Sequence, residues 1–155
     1  MTDSLITIHA ADTDDLDHVE ALLEANGLPY QDVRTKPECF FIAHVGKQQS
    51  HVGNTSVGAG GLEIYGSKGL LRSVVVEESM RGQGYGEALC DELEAYARNN
   101  GVEMLYLLTT TAAAFFHRRG YDEIPRKDAP ASIQGTTEFT KLCPDSATCM
   151  EKDLR

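Results

Sequence analysis

The sequence predicts one mixed α/β domain spanning residues 1–155. Strand-like and helix-like periodicities alternate along the chain, and no repeat, low-complexity tract or linker interrupts them. A length of 155 residues with 41% hydrophobic content suits a single full-sized core.

Taken in order, residues 5–8 (Leu5-Ile6-Thr7-Ile8) read as a first strand. Thr13 is placed to cap a helix running to Ala25, with Val19, Leu22 and Leu23 on its buried side and Gly27 as its stop. After a loop around Leu28-Pro29-Tyr30, residues 39–43 give strand two. A polar, glycine-bearing connection at 46–53 leads to a third strand at 57–65. A tight turn within Gly66-Ser67-Lys68-Gly69 then predicts an antiparallel hairpin with a strand at 70–76. A helix follows from about 84 to 99, with Leu89, Leu93 and Tyr96 at helical spacing and Asn100-Gly101 ending it. Residues 104–108 form a wholly apolar strand of the kind buried on both faces. Residues 112–119 make a short helix stopped by Gly120. The rest predicts one or two helical turns after Pro130 and a last strand at 148–152. The expected order is β-α-β-β-β-α-β-α-β.

A net charge of −10 argues against nucleic acid or an anionic membrane as partner. Part of that acid, Asp12, Asp14, Asp15 and Asp17, favours a helix dipole at the start of the first helix, and the excess fits either an ordinary acidic surface or a high-salt habitat. No run approaches the roughly 18–20 apolar residues of a membrane span. The N-terminus lacks a basic region followed by a long apolar run, so a soluble, cytoplasmic protein is expected. Cys39, Cys90, Cys143 and Cys149 show no metal-site spacing with the scattered histidines. Reduced, mostly buried thiols and no metal are the expectation.

The most informative stretch is SVVVEESMRGQGYGEAL, in which glycines 82, 84 and 86 stand between a strand and a helix. Glycine inside a regular element costs roughly 0.5–1 kcal/mol, so three at this spacing call for a cause. A strand, a glycine turn and a helix N-terminus together make an anion site: backbone N–H groups converge, and the helix dipole adds positive charge. Spacing rejects two phosphate motifs. A dinucleotide fingerprint starting at Gly82 requires glycine where Glu87 stands, and no Gly-Lys-Ser/Thr of a Walker loop occurs.

The pattern R/Q-x-x-G-x-G/A, met by Arg81, Gly84 and Gly86 after a fourth strand, resembles the GNAT superfamily of acyl-coenzyme A-dependent N-acyltransferases. The resemblance covers nearly the whole chain. It implies a central mixed, mostly antiparallel sheet flanked by helices. It also implies that Arg81, Gly82, Gln83, Gly84, Tyr85 and Gly86 hold the coenzyme's pyrophosphate, while Val74, Val75 and Val76 pair with its pantetheine arm. The stretch LYLLTTTAAAFFHRRGY resembles the family's fifth strand and next helix, with two departures. Phe116 stands where many members carry the tyrosine that protonates the leaving thiolate, and Thr110 stands at a frequent asparagine position. Both positions are counted with the coenzyme site. The LTT-then-FF form and the extension ending LCPDSATCM resemble the acetyltransferase domain of N-acetylglutamate synthase and small N-acetyltransferases associated with arsenic resistance. That implies acetyl-CoA as co-substrate and the α-amine of an amino acid or analogue as acceptor.

Acetyl transfer to an amine requires loss of the ammonium proton, alignment with the thioester, oxyanion stabilisation and departure of the thiolate. In a ternary complex no acyl-enzyme is needed, and no adjacent Cys/His pair suggests one. The resemblance implies a bulge in the fourth strand that frees an oxyanion donor, the N–H of Val76 or else Val75. N-acetylglutamate synthases place their proposed base six residues before the valine matching Val76. Here that residue is Leu70, so no base is carried over. The hairpin supplies a substitute. A two-residue turn at Ser67-Lys68 sets Glu63 opposite Arg72. This pair reads either as a cross-strand ion pair worth a few tenths of a kcal/mol, or as a site in which Arg72 anchors a substrate anion and Glu63 takes the amine proton through water. Arg34, on the loop before strand two, is a second anchor candidate. Thr109 matches the position of the serine proposed as acid in N-acetylglutamate synthases, and equally suits a capping hydroxyl for the next helix. Phe115 and Phe116 read as packing residues or a pantetheine contact. Arg118 and Arg119 read as phosphate contacts or a solvated helix end. Acetyl transfer to a small, anionic amine is the leading function. A coenzyme-binding sensor without turnover is the alternative, and the acidic surface disfavours an acetylase of aminoacyl-tRNA. Open strand edges and the C-terminal extension are compatible with a homodimer.

Overall fold

The computed structural model describes residues 6–45 and 56–155. The connection expected at 46–53, and Leu5 of the opening strand, lie outside the described residues. Among the described residues seven strands form one sheet: β1 (Ile6–Ala10), β2 (Phe40–Val45), β3 (Ser56–Tyr65), β4 (Lys68–Val76), β5 (Met104–Thr109), β6 (Asp122–Ile124) and β7 (Thr148–Asp153). The helices are α1 (Thr13–Ala25), α2 (Tyr85–Asn99), α3 (Ala113–Arg118) and α4 (Ala131–Gln134). The strand order is β1-β2-β3-β4-β5-β7-β6, with β4 and β5 parallel and the pairs β1–β2, β2–β3, β5–β7 and β6–β7 antiparallel. This is the mixed, mostly antiparallel sheet flanked by helices that was expected. The described residues divide into two compact units, residues 6–45 and 56–61 with 73–96, and residues 62–72 with 97–155.

In the first unit, α1 starts one residue earlier in its capping than the sequence suggested. Asp12, not Thr13, is the N-cap, and it forms a reciprocal capping box with Asp15. At the other end Gly27 adopts φ +70, and the amides of Gly27 and Leu28 reach back to the carbonyls of Glu24 and Leu23. That closure needs a left-handed residue, which glycine supplies without a Cβ clash. Leu16, Val19, Leu22 and Leu23 bury the inner stripe of α1 against Phe40, Ile42, Ala59 and Val75. On α2, Leu89 and Leu93 are buried as expected, whereas Tyr96 is 40% exposed and meets Phe41 in a T-shaped ring contact. Helical spacing put Tyr96 at the margin of the stripe.

In the second unit β7 lies between β5 and β6, pairing Leu107 with Met150 on one side and Met150 with Glu123 on the other. Strand β6 was not foreseen, because three residues reading Asp-Glu-Ile carry no apolar alternation. A cluster of Leu70, Tyr106, Ile133, Phe139 and Cys149 forms the core here. Burial pushes the Cys149 thiol up to about 11, with Glu151 adding to the rise and Arg126 opposing it. Cys90 is likewise buried, and Cys39 and Cys143 are half-buried, so two of the four free thiols rather than most are enclosed. Among the described residues no helix is long and apolar enough to cross a membrane, and no cluster of metal-ligating side chains occurs.

Strand β4 is irregular in a way that matters later. The hairpin turn is Gly66-Ser67, with Gly66 at φ +65, one residue earlier than the expected Ser67-Lys68. The flanking residues Tyr65 and Lys68 begin the pairing, while farther along the amide of Glu77 donates to the carbonyl of Val57 at 2.9 Å. From 65 back to 57 is eight steps, but from 68 on to 77 is nine, so β4 holds one extra residue. Ser73 is the residue that absorbs it, at φ +61, a left-handed conformation rare outside glycine. Beside this bulge β3 has no room for a side chain: a Cβ on Gly58 falls 2.2 Å from the carbonyl oxygen of Val75. At Gly60 the obstacle is softer, the Leu93 Cδ1 methyl at 2.5 Å. Gly58→Ala is therefore expected to cost about 3 kcal/mol in denaturant unfolding, and Gly60→Ala about 1 kcal/mol, because a leucine tip yields where backbone cannot.

Candidate active site

In the first unit, Val76 ends β4, a short turn at Glu78–Met80 follows, and residues 81–84 lie exposed before α2 begins at Tyr85. Gly82 and Gly84 adopt φ +78 and +83, and nothing stands within 4 Å of where their Cβ atoms would be. Conformation, not crowding, requires glycine at both. Gly84 acts as the entry residue of α2, its carbonyl accepting from the Ala88 amide at 3.1 Å. Helix geometry then leaves the first-turn amides of Tyr85 and Gly86 without intrahelical acceptors, directed at the exposed turn. Amides so placed, with the α2 dipole behind them, are chemically able to receive an anion. Arg81 has a different task from the rest of its motif. Its Nε donates to the Val76 carbonyl at 3.1 Å and its Nη2 to the Asn26 side chain, so it ties the end of β4 to the cap of α1. Val74 and Val76 are half-buried, while Val75 turns into the α1 core.

Arg34, expected as an anion anchor, spends its guanidinium on α1. It pairs with Asp17 and with Glu20 at 3.1 Å, and these hydrogen bonds, Glu20 first, raise its pKa above the usual arginine value.

The second unit contains the pair expected from the hairpin, in a richer form. With the turn at Gly66-Ser67, Glu63 lies opposite Leu70 and Arg72 becomes its diagonal neighbour, a span that long side chains bridge. The Arg72 Nη1 donates to Glu63 Oε2 at 2.9 Å. Its Nε faces Glu138 Oε2 at 3.2 Å, from a π-helical turn at Glu138–Leu142. All three side chains are at most 4% exposed. The second Glu63 oxygen accepts from the Tyr65 hydroxyl. This corrects the anchor assignment: Arg72 does not present an open fork to a substrate but is enclosed between two carboxylates. It also excludes the weaker reading of a solvated cross-strand pair.

At the end of β5, the Thr109 hydroxyl accepts from the Ala112 amide at 3.0 Å and so ties the turn before α3, whose N-cap is Ala112 with no side-chain cap of its own. Thr110 is exposed directly after it. Phe116 is buried with edge-on contacts to Phe115 and Tyr121, which is packing. Two residues of the carboxylate cluster escaped sequence reasoning. Tyr65 had a signal, since it is two positions from Glu63 on the same strand and so on the same face. Glu138 had none, because it comes from an irregular segment with no period to read.

The cluster makes a stability prediction. Arg72→Leu leaves two carboxylates buried without their shared cation and is expected to lower the unfolding free energy by about 3–5 kcal/mol. Glu138→Gln keeps a one-to-one pair and is expected to cost under about 2 kcal/mol. Parallel denaturant titrations measure the difference, and equal losses would show that Arg72 is not shared as described.

A model described as the acetyltransferase (GNAT) family matches residues 4–121. An amino-acid acetyltransferase of Mycobacterium tuberculosis is 33% identical over 88 residues, 56% of this chain and 47% of that protein. The chain thus spans about half the length of the curated relatives it matches. Among solved structures, N-acetylglutamate synthase from Neisseria gonorrhoeae, complexed with coenzyme A and L-arginine, superposes with a TM-score of 0.78 at 20% identity, over 98% of this chain and 34% of that one. Rv2747 from Mycobacterium tuberculosis, solved with CoA, gives a TM-score of 0.74 at 23% identity over 96% and 99% of the two chains. The family model covers well over half of the sequence and meets the same strand, glycine turn and helix. The chain belongs to the acetyltransferase (GNAT) family of N-acyltransferases.

Proposed function

We propose that this chain transfers the acetyl group of acetyl-CoA to the amino group of a small amino acid or amino-acid analogue, with both substrates bound together. The observation that carries the reading is the exposed glycine turn between β4 and α2, in which Gly82 and Gly84 hold positive φ directly before the helix N-terminus. A diphosphate suits such a site because its charge is met by N–H groups and a helix dipole and needs no lysine. The half-buried Val74 and Val76 offer an edge for the amide-bearing arm, and the Ser73 bulge disrupts the ladder beside them. When bound, acetyl-CoA supplies an activated thioester. The chain's own part is to align the amine, take its proton and favour the developing oxyanion through a β4 amide, that of Val76 or Val75.

The amino-acid class is supported by the relatives, one named an amino-acid acetyltransferase and another a synthase solved with coenzyme A and N-acetyl-glutamate. Recognition of an acceptor carboxylate does not fall to Arg34 or Arg72, whose guanidinium groups serve carboxylates of the chain itself. Glu63 is the base in this reading, buried and polarised by its two partners.

Calorimetric titration with coenzyme A tests the glycine turn, and thiol release from acetyl-CoA with each of the twenty amino acids tests transfer. Binding near about 1 μM, roughly −8 kcal/mol, is expected. Gly84→Ala forces a side chain into the left-handed region at about 1–2 kcal/mol, so its coenzyme affinity is expected to fall roughly 5–30-fold. No heat with coenzyme A would overturn the reading. Binding without thiol release on any amine would mark a sensor module instead.

A further inference from the structure

We infer that Asn26, at the C-terminal cap of α1, is a positioning residue for the glycine turn and acts on it through Arg81. The inference rests on the acetyl-transfer reading, in which that turn receives the coenzyme's diphosphate. Every group it uses belongs to the first unit.

The turn depends on how its ends are held. Residues 81–84 are exposed, and nothing stands within 4 Å of where a Cβ on Gly82 or Gly84 would be, so side-chain packing does not fix its shape. Helix α2 anchors one end. At the other end the backbone contact is long, from the Arg81 amide to the Glu78 carbonyl at 3.4 Å. The Arg81 guanidinium supplies firmer ties: Nε donates to the Val76 carbonyl at 3.1 Å, and Nη2 donates to Asn26 Oδ1. It thus joins the end of β4 to the end of α1 immediately before Gly82.

Asn26 suits this task because both halves of its side-chain amide are engaged. Its Nδ2 donates to the Leu22 carbonyl at 2.8 Å, and its main-chain amide donates to the Leu23 carbonyl at 3.1 Å. The nitrogen closes the helix end, which leaves Oδ1 facing Arg81 in a set direction. Aspartate lacks the donor, and serine has one atom for both roles. Electrostatics favours the same contact. Helix α1 ends in its negative pole with no basic residue in its last turn, so Arg81, 55 residues away in sequence, brings the cation there. A second tie runs parallel: Glu77 Oε2 meets His18 Nε2 at 2.6 Å, about 12 Å along α1 from Asn26. The approach to the turn is therefore held on α1 at Glu77 and again at Arg81.

A turn held in this way needs less ordering when the coenzyme arrives, an advantage shared by the ground and transition states. Asn26→Ala removes the tie and leaves Arg81 in place. Its calorimetric Kd for coenzyme A and its KM for acetyl-CoA are expected to rise about 5–10-fold, the scale of one charge-assisted hydrogen bond. Its kcat with the fastest acceptor of the twenty amino acids should stay within twofold of wild type. Loss of the helix cap alone would lower the denaturant midpoint and leave both constants where they are. In an Arg81→Ala background, Asn26→Ala should change Kd less than twofold, because the contact has already gone. A Kd for Asn26→Ala within twofold of wild type, or an undiminished loss in the Arg81→Ala background, overturns the positioning role and leaves coenzyme binding standing. No heat with coenzyme A from the wild-type chain overturns the acetyl-transfer reading and this inference with it.

Discussion

The extra residue of β4, absorbed by Ser73 in a left-handed conformation, is the constraint around which the rest is arranged. Side chains alternate along a strand, so one inserted residue inverts the phase of everything after it. Before Ser73, Leu70 joins the second unit's core and Arg72 meets Glu63 and Glu138. After it, Val75 turns into the α1 core, and Val74 and Val76 keep a half-buried edge. The bulge has a cost, of order 1–3 kcal/mol for such a backbone conformation. It also presses on β3, where Gly58 is required beside the Val75 carbonyl. Strain retained in the middle of a strand that otherwise reads as plain valine ladder belongs to function more readily than to folding.

Two arginines of the second unit, Arg72 and Arg126, show how an irregular C-terminal segment is held. Arg126 donates to the carbonyls of Phe139 and Pro144 and stacks over the Phe139 ring, capping a turn whose backbone acceptors have no strand to meet. Arg72 holds the same turn through the Glu138 side chain. The first contact involves exposed and half-buried atoms, and the second is enclosed, so the second dominates if either partner is lost. A π-helical turn presents Glu138, and such turns persist mainly where a side chain must be delivered to a set place.

How much of this was legible follows from how far apart the interacting residues stand. The order of elements was readable because helix and strand periods are local, and Gly27, Gly101 and Gly120 all sit at positive φ where the chain leaves a helix. The glycine turn was readable for the same reason: Gly82 and Gly84 take positive φ within one short stretch, and glycine leaves a mark in the sequence. The hairpin partner was found although its register was misjudged, since Gly66 rather than Lys68 occupies the turn and Arg72 is long enough to reach diagonally. What stayed hidden depends on distant or irregular partners. Arg81 and Arg34 read as open cations in the sequence and Arg72 as either an ion-pair partner or an anchor, yet each is committed to groups supplied by another element. Strand β6 escaped because pairing with β7, not its own residues, makes it a strand.

This division explains why the coenzyme is easier to name than the acceptor. In the proposed reading a diphosphate would be met by main-chain amides, which constrains chiefly the glycines that permit their shape. The buried carboxylate cluster, by contrast, draws its side chains from separate segments: Tyr65 and Glu63 from β3, Arg72 from β4, Glu138 from a turn near the C-terminus. The glycine turn is therefore legible in a short local stretch, whereas the carboxylate cluster becomes visible only when the chain is folded. Within that cluster the charges balance one another, and Arg72 cannot be replaced by an apolar residue without leaving two buried carboxylates uncompensated.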